Sequence, residues 1–405
     1  MHSILKTTSS IISYIWDKLV IYTPAHLVYR LRPPGVAFLV HPRDISDVYR
    51  PFPFFEKLPE EATRYLGTKL GAITLSAMDA PNDVYGKPIR AQLLSIVMDP
   101  QSMKDKHNGG SLKKNLTEMS RLAERKNLRL IALGALLPSV TQYGRTYTQL
   151  QSKNRAAPAV TTGHVCTAWC IQAILEEIAT ERHPSKCNFT VGILGAAGST
   201  GRLAAQMLNR LRVHGDWSFD LHLVDRHQIR TVALRDAIGQ NCTASTDIMS
   251  LQHCDYIVVV TNASEVVLHP KHIKEGAVVI DDTQPRATSN ALLKKAFVVD
   301  VLAHVSGLDV GFDFGFHTTD KQMTFSCLAE MLLLAAVHHN GNFAVGPAAN
   351  QSSPEILERF FEYLRRAEEA GLRIRPVTNI SFASEMPPDI SQQLMLTQEP
   401  PMAAE

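Results

Sequence analysis

The stretch Thr190–Gly201, TVGILGAAGSTG, constrains the fold of this chain more than any other. Val191, Ile193 and Leu194 form the short apolar run that a parallel strand buried on both faces shows. Gly195, Gly198 and Gly201 follow in a G-x-x-G-x-x-G array, with Ala196, Ser199 and Thr200 among the residues between them. Leu203, Ala204, Met207, Leu208 and Leu211 then recur at helical spacing. Glycines let a backbone approach phosphates, and the N–H groups of a helix start face an anion. Strand, turn and helix together predict a dinucleotide site on Gly195, Ala196, Gly198, Ser199, Thr200 and Gly201. An ordinary tight turn is the plainer alternative.

The residues downstream repeat the theme. Phe219–Val224, Asp255–Val260 and Ala277–Ile280 read as further strands, with helical or loop patterns between them. Strands alternating with helices predict a doubly wound parallel sheet, a Rossmann-like domain. Asp225 stands about where a ribose-reading acid belongs and would favour NADH, unless it merely caps a turn. Arg226 beside it would clamp a 2′-phosphate and favour NADPH. Thr261 and Asn262 follow the third strand directly, and Asp281, Asp282 and Thr283 follow the fourth. Polar residues there face the cleft of such a sheet, or simply make turns.

At 405 residues the chain has room for more than one core. The expected division is an amphipathic leader (1–35), an α/β substrate domain (36–185), the Rossmann-like domain (186–310), a C-terminal helical segment packing back to complete the cleft (311–385) and a disordered Pro-rich tail (386–405). A formal net charge of +2 gives no reason to expect nucleic-acid binding. Six cysteines without paired metal spacing predict neither a metal site nor a disulfide framework, and point to the reducing cytoplasm.

In the leader, Ile11, Ile12, Ile15, Trp16 and Leu19 suggest an amphipathic helix, with Lys6, Lys18, Arg30 and Arg32 nearby. Charges interrupt it, so it does not read as a membrane span. It either packs on the body of the protein or lies on a membrane surface through residues 1–30, peripheral to the inner face. The segment 101–130 carries eight Lys or Arg against three acids. That reads as a solvated helix face or a dock for an acidic carrier protein.

Cys327 lies near the start of the apolar helix expected over Met323–Val337, where a helix N-terminus lowers a thiol pKa and favours nucleophilic attack. His164 opens a long helix expected over Thr161–Thr180 and has the chemistry to move a proton. Each, taken alone, also suits a packing or capping role.

Read in order, Ala132-Leu133-Gly134-Ala135, Thr161-Thr162-Gly163 with Thr167-Ala168, the turn at 195–201, Ile280-Asp281, FSCLAEMLLL at 325–334, Asn342-Phe343 and Gly371 give the chain a resemblance. From about residue 36 to 377 it is similar to the long-chain fatty acyl–acyl carrier protein reductases. The resemblance implies reduction of an acyl thioester, carried by acyl carrier protein or coenzyme A, to an aldehyde. It implies an acyl-enzyme on Cys327, Glu330 as a nearby acid, and a nicotinamide cofactor, NADPH ahead of NADH. Two positions depart from the family pattern: His164 stands where asparagine is common, and Cys166, where cyanobacterial members have a histidine, becomes a rival nucleophile. Alternatives are a shikimate dehydrogenase-like or glutamyl-tRNA reductase-like enzyme on a small polar substrate, and a non-catalytic nucleotide sensor. A homo-oligomer fits any of them.

Overall fold

The computed structural model describes residues 2–23, 33–151, 157–316, 320–346 and 353–380. The expected tail at 386–405, the side chain of Lys6, and Arg30 and Arg32 lie outside the described residues.

Two sheets organise the chain. The first joins β1 (Gly35–Val40), β2 (Ala72–Asn82), β3 (Pro88–Ile96), β4 (Leu128–Leu133) and β5 (Ala159–Thr161) in the order β2-β3-β1-β4-β5. Only the β2–β3 pair is antiparallel. The second contains β6 (Cys187–Leu194), β7 (Ser218–Val224), β8 (Cys242–Ser245), β9 (Tyr256–Val259), β10 (Val278–Asp281) and β11 (Phe297–Val305). These run parallel in the order β8-β7-β6-β9-β10-β11, the doubly wound order of a dinucleotide-binding domain. The expected fold class is the one observed. Two further strands, β12 (Met323–Phe325) and β13 (Ile374–Ile380), pair antiparallel with β11.

The helices around the sheets include α1 (His2–Tyr22), α2 (Gly109–Arg125), α3 (His164–Arg182), α4 (Ser199–His214), α5 (Gln228–Ile238), α6 (Ser326–Ala336) and α7 (Pro354–Glu369). In α6 every residue except Cys327 is buried, as befits a helix apolar all round. It shares one core with Phe38 and Leu93 of the first sheet, Ile171 and Ile174 of α3, and Val191 and Ile193 of the second sheet. That continuous core holds the two sheets in fixed relation.

Three differences from the sequence reading have physical causes. The apolar helix does not start at Met323, because Met323–Phe325 is drawn out as a strand against Leu302–His304. The long helix does not start at Thr161, because Thr161 pairs with Ala132 at the end of β5. The segment after residue 310 is not only helical, since β13 runs along β11 from Ile380↔Val299 to Ile374↔Val305.

Helix α1 is bolted down by its polar side. The Ser13 hydroxyl donates to the Thr74 carbonyl at 3.1 Å. The Asp17 carboxylate accepts from the Thr74 N–H at 2.6 Å and pairs with Lys126 Nζ at 2.9 Å, both partners buried. Lys18 donates to the Leu70 carbonyl at 2.7 Å and pairs with Glu118 of α2. Val20 and Ile21 turn inward, whereas Ile12, Ile15, Trp16 and Leu19 face solvent.

Candidate active site

The crevice lies where the strand order reverses, between β6 and β9. A Cβ on Gly201 would stand 2.2 Å from the Gly195 carbonyl oxygen, so the turn closes only around glycine. Gly198 is the N-cap of α4 and its N–H donates to the Gly195 carbonyl at 3.0 Å. This is a backbone cradle that any side chain would fill, and it fits a dinucleotide pyrophosphate.

The acid after β7 makes local turn contacts. Asp225 Oδ2 accepts from the Ala197 N–H at 3.1 Å and Oδ1 from the His227 N–H at 2.9 Å. Its carboxylate ties the glycine turn to the start of α5, as a turn cap. Arg226 is exposed beside it. Lys104 reaches over from the first half of the chain to donate to the Asn262 carbonyl at 2.6 Å. Burial, and next the charge of Arg226, lower the Lys104 pKa, so two cations share this rim.

Both sheets deliver strand ends to one cavity, of about 1220 Å³ with its mouth included. Thr200 of the glycine turn, Thr261 and Asn262 after β9, Asp282 after β10, His164 and Cys327 all line it. Phe38, Val40, Ile73, Leu75, Phe312 and Phe314 supply an apolar wall. Among the described residues that line it there is no lysine.

Cys327 sits against Gly163. A Cβ on Gly163 would lie 2.1 Å from the Cys327 Cβ, and Gly163 has φ +74°, so a side chain there meets both a clash and backbone strain. Glu330, one turn on in α6, is completely buried. It accepts from the Thr161 hydroxyl, from the Gly163 N–H at 3.1 Å and from the Cys166 N–H at 2.8 Å. Gly163 has no side chain to cap α3, and Glu330 supplies the cap from another helix. Burial raises the Glu330 pKa against these hydrogen bonds.

The expectation of a lowered thiol pKa at Cys327 is corrected. Burial raises it, and Asp282 and Glu330 add to the rise, against the smaller lowering by the backbone N–H groups of Cys327 and Leu328. Cys166 is no rival. It is fully buried, with its thiol raised by burial and by Cys170, and it does not reach the cavity. Ser199, expected to meet phosphate, is hydrogen-bonded to His164 Nδ1 at 2.8 Å and links the glycine turn to α3. Asp281 accepts from the Thr283 N–H, the Thr283 hydroxyl and the Thr288 hydroxyl at 2.6 to 2.8 Å, which makes it a turn builder.

Sequence reasoning did not single out His41 or Arg43. His41 Nε2 accepts from the Leu136 N–H at 3.0 Å and Nδ1 meets the Pro42 carbonyl at 2.7 Å, which assigns the Nδ1–H tautomer. Arg43 is paired with Asp47 at 2.8 Å. Neither carries a local motif; only the end of β1 brings them to the cleft. Among the described residues, no group of three or more His, Cys, Asp or Glu is placed to hold a metal ion, and no helix is long and apolar enough to cross a membrane.

No family model matches the chain, and no curated protein matches it. Among solved structures it is similar to CmnK, at 17% identity over 35% of this chain and 42% of that one, with a TM-score of 0.24. It is similar to L-tryptophan dehydrogenase from Nostoc punctiforme at 11% identity over 65% and 66%, TM-score 0.28. A third is D-lactate dehydrogenase with NAD+ from Lactobacillus jensenii, at 12% identity over 83% and 96%, TM-score 0.25. The chain spans less than two thirds of the first two. At these TM-scores the likenesses carry no weight, and the dinucleotide-domain assignment stands on the strand order.

Proposed function

We propose that the protein is an NADPH-dependent oxidoreductase that reduces a long-chain acyl thioester to the aldehyde through an acyl-enzyme on Cys327. The observation that supports this reading is the shared cavity. A thiol, a histidine, the nucleotide crevice and an apolar wall open on the same space. In this reading Cys327 Sγ adds to the thioester carbonyl, and the donor leaves as its thiol with the proton that Cys327 gives up. His164 carries that proton. When bound on the 195–201 turn, a reduced nicotinamide supplies hydride to the acyl carbon. The carbon–sulfur bond to Cys327 then breaks, the aldehyde departs and the thiol is restored. Asp282, whose pKa is raised by burial and by the nearby Asp281 and Asp300, is the acid at hand for that return. Arg226 and Lys104 set two cations at the rim beside the glycine turn, which supports a 2′-phosphate in this reading.

Incubation with a labelled long-chain acyl thioester, without cofactor, is expected to label the peptide containing Cys327. Cys327→Ser is expected to bind dinucleotide normally and to release no aldehyde. Label elsewhere, or aldehyde from that variant, refutes the mechanism. Arg226→Ala is expected to raise the KM for NADPH about tenfold while leaving that for NADH unchanged, consistent with loss of one charge-assisted contact.

A further inference from the structure

Amphipathic helices ordinarily bury the apolar side, whereas α1 buries Val20 and Ile21 together with Asp17 and leaves a second apolar stripe outside. Its inner face is fixed by the hydrogen bonds of Ser13, Asp17 and Lys18. Its outer face presents Ile12, Ile15, Trp16, Leu19 and Tyr22, with Trp16 53% and Tyr22 84% exposed. Such a rigidly mounted stripe calls for a cover. The neighbour on one side is α2, joined to α1 by the Lys18–Glu118 pair, and α2 shows solvent Lys113, Lys114 and Arg121. Lys114 is close enough to Lys18 to help depress its ammonium pKa, so apolar stripe and cationic row adjoin.

We infer that α1 and α2 together form a seat on an anionic lipid surface, the stripe entering the acyl boundary and the lysines meeting headgroups. Indole and phenol rings favour the interfacial zone, and cations beside an apolar stripe match anionic headgroups. A second copy seated on the stripe would bring more cations to the same rim, whereas an anionic headgroup neutralises them. Tyr14 of the same helix packs on the Val48–Phe52–Ile73 cluster, which contributes Val48 and Ile73 to the cavity wall. The seat therefore lies behind an apolar side of the candidate active site. The inference does not depend on the proposed reaction.

The test uses the full chain with vesicles of phosphatidylcholine alone and of phosphatidylcholine with phosphatidylglycerol, read by co-sedimentation and by tryptophan emission. Binding to the anionic vesicles is expected to be at least about tenfold tighter, with a blue shift that Trp16→Ser abolishes. Ile15→Glu with Trp16→Glu removes only exposed side chains. That variant is expected to keep its thermal midpoint and to lose about tenfold or more in vesicle binding. Lys113→Glu with Lys114→Glu is expected to erase the preference for anionic lipid. The inference fails if the native chain stays in the supernatant with both vesicles, or if the Ile15/Trp16 variant sediments as the native chain does. It also fails if the stripe proves to hold a dimer, or α2 an acidic carrier protein, without vesicle binding.

Discussion

Cys327 holds the second position of α6, where a helix start favours the thiolate, yet burial with Asp282 and Glu330 nearby keeps it a thiol. The balance of these effects has a kinetic signature. Alkylation of Cys327 in the ligand-free protein is expected to accelerate about tenfold per pH unit up to about pH 9, as for a thiol far from its ionisation point. A plateau near neutrality would instead reveal a low-pKa thiolate. At this scale the sequence carried part of the site. Cys327 and His164 stood out because helix starts and an ordered set of short motifs marked them. Asp282 was visible only as one polar residue after a strand, and His41 and Arg43 had no mark at all. Their position depends on where β1 ends relative to β10, which no local pattern encodes.

Elements with a strong internal pattern were the legible ones. β6, β7, β9 and β10 are short apolar runs because they are buried on both faces, and the glycine turn after β6 commits the chain to a helix. β13 contains Pro376 and has no clean alternation of apolar and polar residues, so only the open edge of β11 makes it a strand. Periodicity disclosed α1, but the side that turns inward carries an ion pair between residues far apart in sequence, Asp17 and Lys126, beside Val20 and Ile21. Removing one partner of a buried pair strands the other. Asp17→Ala is accordingly expected to destabilise the protein by about 3 kcal/mol, measured by urea unfolding. A change below about 0.5 kcal/mol, the level of a surface pair, would mean that the helix is held by its apolar contacts alone.

The molecule as a whole brings the strand ends of two sheets into one cleft with His41 in its lining, and a second buried imidazole, His222, lies within β7. Burial lowers the pKa of His41 to about 4, and burial with His253 nearby lowers that of His222 to about 4. Between that value and the usual 6.5 the unfolded chain binds more protons, so stability is full above pH 6.5 and falls as pH drops toward 4. For His41 the loss is bounded by about 3 kcal/mol. His41→Gln, which retains an acceptor for the Leu136 N–H, is expected to flatten the fall in unfolding free energy between pH 7 and pH 5. Equal slopes for variant and native chain would remove His41 from the explanation.

The close approach of Gly163 to Cys327 bears on the same cleft. Gly163 stands directly against the carbon that carries the sulfur, and Cys327 borders the cavity. Phe312 and Phe314 line the same cavity. Any side chain placed at 163 would displace Cys327, and the thiol with it, relative to that cavity.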